Sequence, residues 1–390
     1  MMMTFSMSGI LTFRIQNVSR LGFVIAAAVT GKSLASSVVC ASPPPLHGPE
    51  RAPSIALRME AAHILAVVRR LNSRRLAPAF LILTAVSGCS QLSLQSAAPV
   101  QFQQEEWTYR NSKGVKLTSD HYVIYTTCKA KPFTDAMPTF LEACWDTYAE
   151  ILPPKRMPQE PLATYLFQSR WDWERFTEEF TGPRASIYKQ IRSGGYSERG
   201  LTVSHYGSRR STLSILAHEG LHQFLEVTHD KPIPAWINEG LACYFEAFEL
   251  GQDNRPIFTH ERNTLRRPAL RTAYSHGKLQ PLARILATDA GQEIHKPSAE
   301  VLTYYSQAWS LVVFLMRSDF DNEYRDGFTT LLNELGSEEM DRKARAFLAA
   351  DTDGQMSRGE AIFRAYVSDD LEAFDLQYQA WLLGFLELNS

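Results

Sequence analysis

Net charge, cysteine and long apolar runs are all scarce in this 390-residue chain, and each scarcity narrows the reading. Forty Lys and Arg against forty-two Asp and Glu leave a formal charge of −2. That balance gives no reason to expect a nucleic acid partner or a polybasic membrane contact. Beyond residue 100 no segment is long and apolar enough to span a bilayer. The chain also lacks an internal repeat, so solenoid architectures drop out. With 45% apolar and 21% charged residues it fits a soluble globular body of two or three average domains, or one large domain after N-terminal processing.

Processing is expected because the N-terminus carries a sorting signal. Arg69, Arg70, Arg74 and Arg75 precede the apolar run Leu76–Val86, which leads into Ser87, Gly88 and Cys89. A basic start, an apolar core and small residues before the cut describe a secretory signal peptide. Val86-Ser-Gly-Cys89 resembles a bacterial lipobox, which implies cleavage before Cys89 and a lipid on its sulfur. Ser90 follows, and likeness to Gram-negative lipoproteins then implies the outer membrane, facing the periplasm. Residues 59–88 are the expected signal, 89–104 a polar tether, and 1–58 an extension upstream of the true start at Met59. Only one signal can occupy the terminus that emerges first, although Leu21–Val29 also looks signal-like.

Of five cysteines, Cys40 lies outside the expected mature chain and Cys89 is the lipid site. Cys128 and Cys144 are placed so that they could pair, since an envelope location permits disulfides. Cys243 reads as a small core residue.

The mature chain predicts an α+β fold: a small mixed sheet over 105–210, then a mostly helical lobe over 211–390. Thr108–Arg110 and Val115–Thr118 flank the hairpin signal Asn111–Gly114. His121–Thr127 is β-branched and aromatic, and 134–152 carries apolar residues at helical spacing. Leu162–Phe167 reads as a strand, Ser169 as a cap for the next helix, and Leu201–His205 as an edge strand. Helices are expected from Ser211 to Val227, from Ala235 to Glu249, and at 281–288, 302–317, 323–335, 338–349, 357–367 and 370–387.

The strongest pattern is His218-Glu219-Gly220-Leu221-His222, followed seventeen positions after His222 by Glu239. Histidines four apart lie on one helical face, so both imidazoles reach one ion. Glu239, in the first turn of its own helix, offers a carboxylate as third ligand. With no cysteine pair nearby the expected Zn²⁺ site is open, as catalytic sites are. Glu219 projects beside the ion as general base for a water held there. Asn238 and Gly240 allow close approach of that turn, and Glu246 is a candidate to orient a ligand histidine.

Trp236-Ile-Asn-Glu-Gly-Leu-Ala242 resembles the corresponding segment of gluzincin zinc metallopeptidases, the clan of aminopeptidase N and thermolysin. The likeness spans roughly 195–316, is closest to bacterial envelope members of unassigned role, and implies a zincin-type fold with Glu239 as a zinc ligand. Tyr305-Ser-Gln-Ala-Trp-Ser-Leu-Val-Val-Phe-Leu315 is similar to the downstream helix of the aminopeptidase branch, which implies Tyr305, ahead of Tyr304, as the oxyanion donor. The chain departs from that branch in lacking its Gly-x-Met-Glu-Asn element, and Cys243 stands where thermolysin has an aspartate. Aminopeptidase specificity is therefore not implied.

The expected activity is hydrolysis of a peptide or protein substrate, with residues Leu201, Thr202, Val203, Ser204 and His205 offering a strand to an extended peptide. The rival is a catalytically silent binding or assembly module, against which Glu219 argues because a structural site needs no base. Asp351, Asp353, Gly354 and Glu360 resemble part of a calcium loop, but Ala349 replaces the first carboxylate and a plain interhelical turn suffices. His229 and His260 have no ligand-like spacing.

Overall fold

The computed structural model describes residues 99–390 apart from 192–193, 289–297, 318–322 and 388–390. It also describes the backbone of four short N-terminal strands (Met2–Phe5, Ile10–Arg14, Ile25–Thr30 and Ser33–Ser36) that form an antiparallel sheet of their own. The signal peptide, Cys89 and most of the tether lie outside the described residues. Among the described residues no helix is long and apolar enough to cross a membrane.

The body, Leu92–Ser390, is a separate unit with the α+β architecture expected. Its sheet contains β1 (Gln103–Tyr109), β2 (Ser112–Thr118), β3 (Tyr122–Thr126), β4 (Leu162–Phe167), β5 (Gly195–Glu198) and β6 (Leu201–His205). The spatial order is β1-β2-β3-β4-β6-β5. β3, β4 and β6 run parallel, whereas the pairings β1–β2, β2–β3 and β6–β5 are antiparallel. Alternation sorts the strands: Tyr122, Ile124, Leu162 and Leu166 join the large core, while Phe167 and Val203 join a second cluster with Tyr109, Trp173 and Tyr196. Helix α1 (Lys131–Ile151) connects parallel β3 to β4 and buries Met137, Phe140, Cys144 and Tyr148. Helix α2 (Arg170–Thr181), capped by Ser169 as expected, covers the opposite face through Trp173.

The helical lobe follows as α4 (Arg209–Thr228), after the short α3 (Ala185–Tyr188), and α5 (Ala235–Tyr244). Then come the hairpin β7 (Phe248–Leu250) and β8 (Pro256–Phe258), α6 (Arg266–Ser275), α7 (Leu282–Ala287) and α8 (Ser298–Met316). Helices α9 (Arg325–Glu334), α10 (Glu338–Ala350), α11 (Arg358–Tyr366) and α12 (Leu371–Glu387) complete it. The C-terminal helix is part of the core: Phe374 and Tyr378 are buried, and Tyr378 shares a hydrogen bond with Ser310 of α8 at 2.5 Å.

Four expectations are corrected. Leu201–His205 is an internal strand, because β5 pairs along its outer side and forms the edge. The first hairpin turns at Arg110-Asn111, with Arg110 at φ 50, and Gly114 lies within β2 opposite Trp107. Helix α5 stops at Tyr244, so Glu246 sits beyond its end, and the hairpin β7–β8 replaces its expected last turn. Cys128 and Cys144 are buried free thiols, as is Cys243. Asp351–Gly354 is the interhelical turn expected there, with Asp351 Oδ2 accepting from the Met356 backbone at 2.7 Å.

Candidate metal centre

Helix α4 begins at a Ser208 cap, whose hydroxyl accepts from the Ser211 backbone N–H at 3.3 Å. It runs between α1 and the sheet, and Tyr148 of α1 donates to the Ala217 carbonyl at 2.5 Å. This seating points His218 and His222 toward α5. The loop Asp230–Pro234 returns the chain, and α5 presents Glu239 to the same point. Gly240 makes that placement possible in an unexpected way. A Cβ there would lie 2.6 Å from both the Ala308 carbonyl oxygen and a Val312 methyl, so the glycine lets α5 press against α8 rather than against the histidine helix.

The three expected ligands converge. His218 Nε2 and His222 Nε2 are 3.2 Å apart, and Glu239 Oε2 stands 3.5 Å from the first and 3.4 Å from the second. Four ligands held tetrahedrally at about 2.0–2.1 Å from zinc stand about 3.3–3.4 Å from one another. The triangle therefore already has zinc dimensions.

Neighbours fix which nitrogen faces inward. His218 Nδ1 lies 2.9 Å from Glu246 Oε1, and His222 Nδ1 lies 3.0 Å from Asn238 Oδ1. Both partners accept, so each Nδ1 carries the proton and each Nε2 directs a lone pair inward. Glu239 Oε2 is buried without a hydrogen-bond partner among the described residues. Three electron-rich atoms turned on one point in a nearly buried site could hold a cation. The donor set fits zinc.

Without a metal, burial opposes charge here, yet His218 and His222 are pushed up by the Glu239 carboxylate and take protons; these charged imidazoles hold the Glu239 carboxyl well below its usual range. The same contest, won chiefly by Arg266, keeps Glu246 ionised. Glu219 is not in the triangle. Burial raises its carboxyl, against the pull of His218 and His222. It lies beside the edge strand, since a Cβ on Gly195 would come 3.3 Å from Glu219 Cγ. Tyr305 sits with its ring 6.3 Å from that of His218, while Tyr304 is fully buried behind it. Burial and the Glu239 charge push the Tyr305 phenol well above its ordinary value, so it keeps its proton as a donor.

Two residues absent from the sequence reading complete the centre. Arg266, at the start of α6, donates to Glu246 through Nε at 2.9 Å and Nη2 at 2.5 Å. Its guanidinium carbon also lies 5.2 Å from the centre of the Tyr305 ring. Asn263 donates from Nδ2 to Glu246 Oε2 at 2.8 Å, and its Oδ1 accepts from the Arg266 backbone at 2.9 Å. Glu246 thus receives His218, Asn263 and Arg266 together. Of the remaining expected residues, Thr202 bonds Gln223 at 3.1 Å, and β5 pairs along Leu201–Ser204, with Thr202, Val203 and Ser204 buried and Leu201 and His205 half-buried. His229 is buried and His260 half-buried, and neither joins the ligand triangle, as expected of non-ligands.

Residues 212–335 match a family described as a protein of unknown function (DUF1570). The matched segment runs from the first turn of α4 to the end of α9 and contains every ligand, Glu219, Glu246, Arg266 and Tyr305. No curated protein and no solved structure matches the chain.

Proposed function

We propose that this protein is a zinc-dependent metallopeptidase of the gluzincin type, lipid-anchored in a bacterial cell envelope. The observation that carries the reading is the preformed triangle of His218, His222 and Glu239, with Glu219 beside it and outside the ligand set. Zinc, when bound, supplies a Lewis acid that polarises a carbonyl and acidifies water. The side chains supply the rest. Glu219 takes a proton from the attacking water and returns it to the leaving amine. Tyr305 donates to the oxygen on which negative charge develops. Glu246 and Asn238 fix the imidazole tautomers, and the substrate strand is β5, the true edge, rather than Leu201–His205. A buried base beside open ligands favours catalysis over a silent module.

The reading is tested by metal analysis of the purified protein together with a peptide cleavage panel. About one zinc per chain and chelator-sensitive hydrolysis are expected. A metal-free folded protein would end the reading. Tyr305→Phe keeps the ring over Arg266 and deletes one donor, so turnover should fall by about 10²-fold with little change in melting temperature. The anchor is tested by mass spectrometry of the native protein. A lipid-modified N-terminal Cys89 with no peptide from residues 59–88 is expected, whereas an unmodified terminus near residue 42 would favour the upstream signal-like run.

A further inference from the structure

We infer that the cleft beside His222 is a side-chain subsite of this peptidase centre, built for a neutral hydrogen-bond donor such as a serine or threonine hydroxyl or an asparagine or glutamine amide. The inference rests on the peptidase reading. The cleft, of about 500 Å³, lies between the edge strand, the C-terminal half of α4 and the loop before α5, and it reaches His222 and Glu239. Ser197 enters it from β5, two residues along the same strand face from Gly195, which adjoins the base Glu219. A side chain placed there belongs to a residue close to the reacting bond.

The wall selects against an anion. Asp230 pairs with Arg156 at 3.2 Å, and Arg156 Nε also donates to the Val227 carbonyl at 2.8 Å. Glu226 Oε2 accepts from the Gly200 backbone at 3.0 Å, and Lys231 pairs with Glu338. Arg156 cancels Asp230 and Lys231 cancels Glu338, while Glu226, held only by a backbone amide, keeps its negative charge, so the wall offers no counter-charge to an anionic occupant. Leu225, Pro232 and Ile233 line the remainder and suit a short carbon stem.

Two groups in this wall remain without a hydrogen-bond partner: Ser197 Oγ and His229 Nε2, both buried. Thr228 Oγ1 spends its proton on the Phe224 carbonyl at 2.6 Å, so the contact of 2.8 Å to His229 Nδ1 is made with the His229 proton. Nε2 is then a bare acceptor on a side chain only 5% exposed. Burial, helped by Lys155, holds this imidazole down to about 4, so it stays an acceptor at neutral pH. An unpaired buried polar atom is costly and scarce in folded proteins. Zinc accounts for Glu239 Oε2. A donor on the molecule in the cleft accounts for His229, and Ser197 can give or receive the second bond. Sites with polar atoms awaiting a partner discriminate strongly against the analogue that lacks it.

The experiment uses the zinc-loaded full chain and two peptide hydroxamates differing only in threonine against valine beside the metal-binding group. Calorimetry should show the threonyl compound binding about tenfold or more tightly. That ratio should collapse in His229→Phe and shrink in Ser197→Ala, the milder variant, which carries the test should the first fail to fold. Equal affinities in the wild type, no binding of either compound, or a preference surviving in both variants would overturn the subsite. The peptidase reading fails separately, by absence of hydrolysis from a protein that still tells the two hydroxamates apart.

Discussion

Glu219→Gln should retain wild-type zinc content and fold while losing about 10²–10⁴-fold in turnover, the usual contribution of a general base. The amide has the shape of the carboxylate but cannot hold a proton. Nothing structural depends on the charge, since the ligand triangle closes through His218, His222 and Glu239 alone. Burial raises the Glu219 carboxyl toward the range where a base both accepts and returns a proton, with His218 and His222 limiting the rise. His222→Ala gives the contrasting result, because it deletes a ligand atom and should lower zinc occupancy together with activity. Paired measurements by atomic absorption and steady-state kinetics separate the two. Full activity of Glu219→Gln on a peptide that the wild type cleaves would leave the proposed chemistry without its base.

The centre was legible where local spacing determines geometry. Histidines four apart share a helical face whatever surrounds them, and Asn238 and Glu239 lie together on the next helix; Glu246, expected two turns further on, sits past the helix end at Tyr244 and still reaches His218. Even there the reason for Gly240 was not legible, because its neighbour Ala308 is 68 positions away. The edge strand escaped for a different cause. Gly195–Glu198 is only four residues long, and the pair Gly194-Gly195 at its start reads as a turn; only pairing with Leu201–Ser204 makes it a strand. Helix α6 was missed because Pro268 interrupts its apolar pattern, although proline is tolerated in a first turn. Missing α6 meant missing Arg266, and no spacing rule links an arginine to a carboxylate twenty residues before it. Composition and alternation, by contrast, were enough for the two-layer plan of sheet and helical lobe.

Arg266→Met should be the most destabilising single change at the centre, at about 3–5 kcal/mol, the range for stripping one partner from a buried ion pair. Arg266 and Glu246 have side chains only 11% and 8% exposed, so water cannot replace the lost guanidinium. Glu246 would keep His218 and Asn263 but lose the Arg266 guanidinium, and Tyr305 would lose the cation over its ring. Zinc affinity should fall about 10–100-fold as the hold on His218 Nδ1 loosens. Arg266→Lys preserves charge but not the planar fork that meets both carboxylate oxygens, and should fall between. The double variant Arg266→Met/Glu246→Leu distinguishes packing from positioning. With both charges gone, much of the stability should return, since an apolar pair of similar volume tolerates burial. Zinc affinity should not return, because His218 Nδ1 then has no acceptor to fix its tautomer. Thermal melts and zinc titrations on the four proteins read the two effects independently. Recovery of zinc affinity along with stability would mean that Glu246 and Arg266 only fill space, and that His218 is held by the fold of α4 alone.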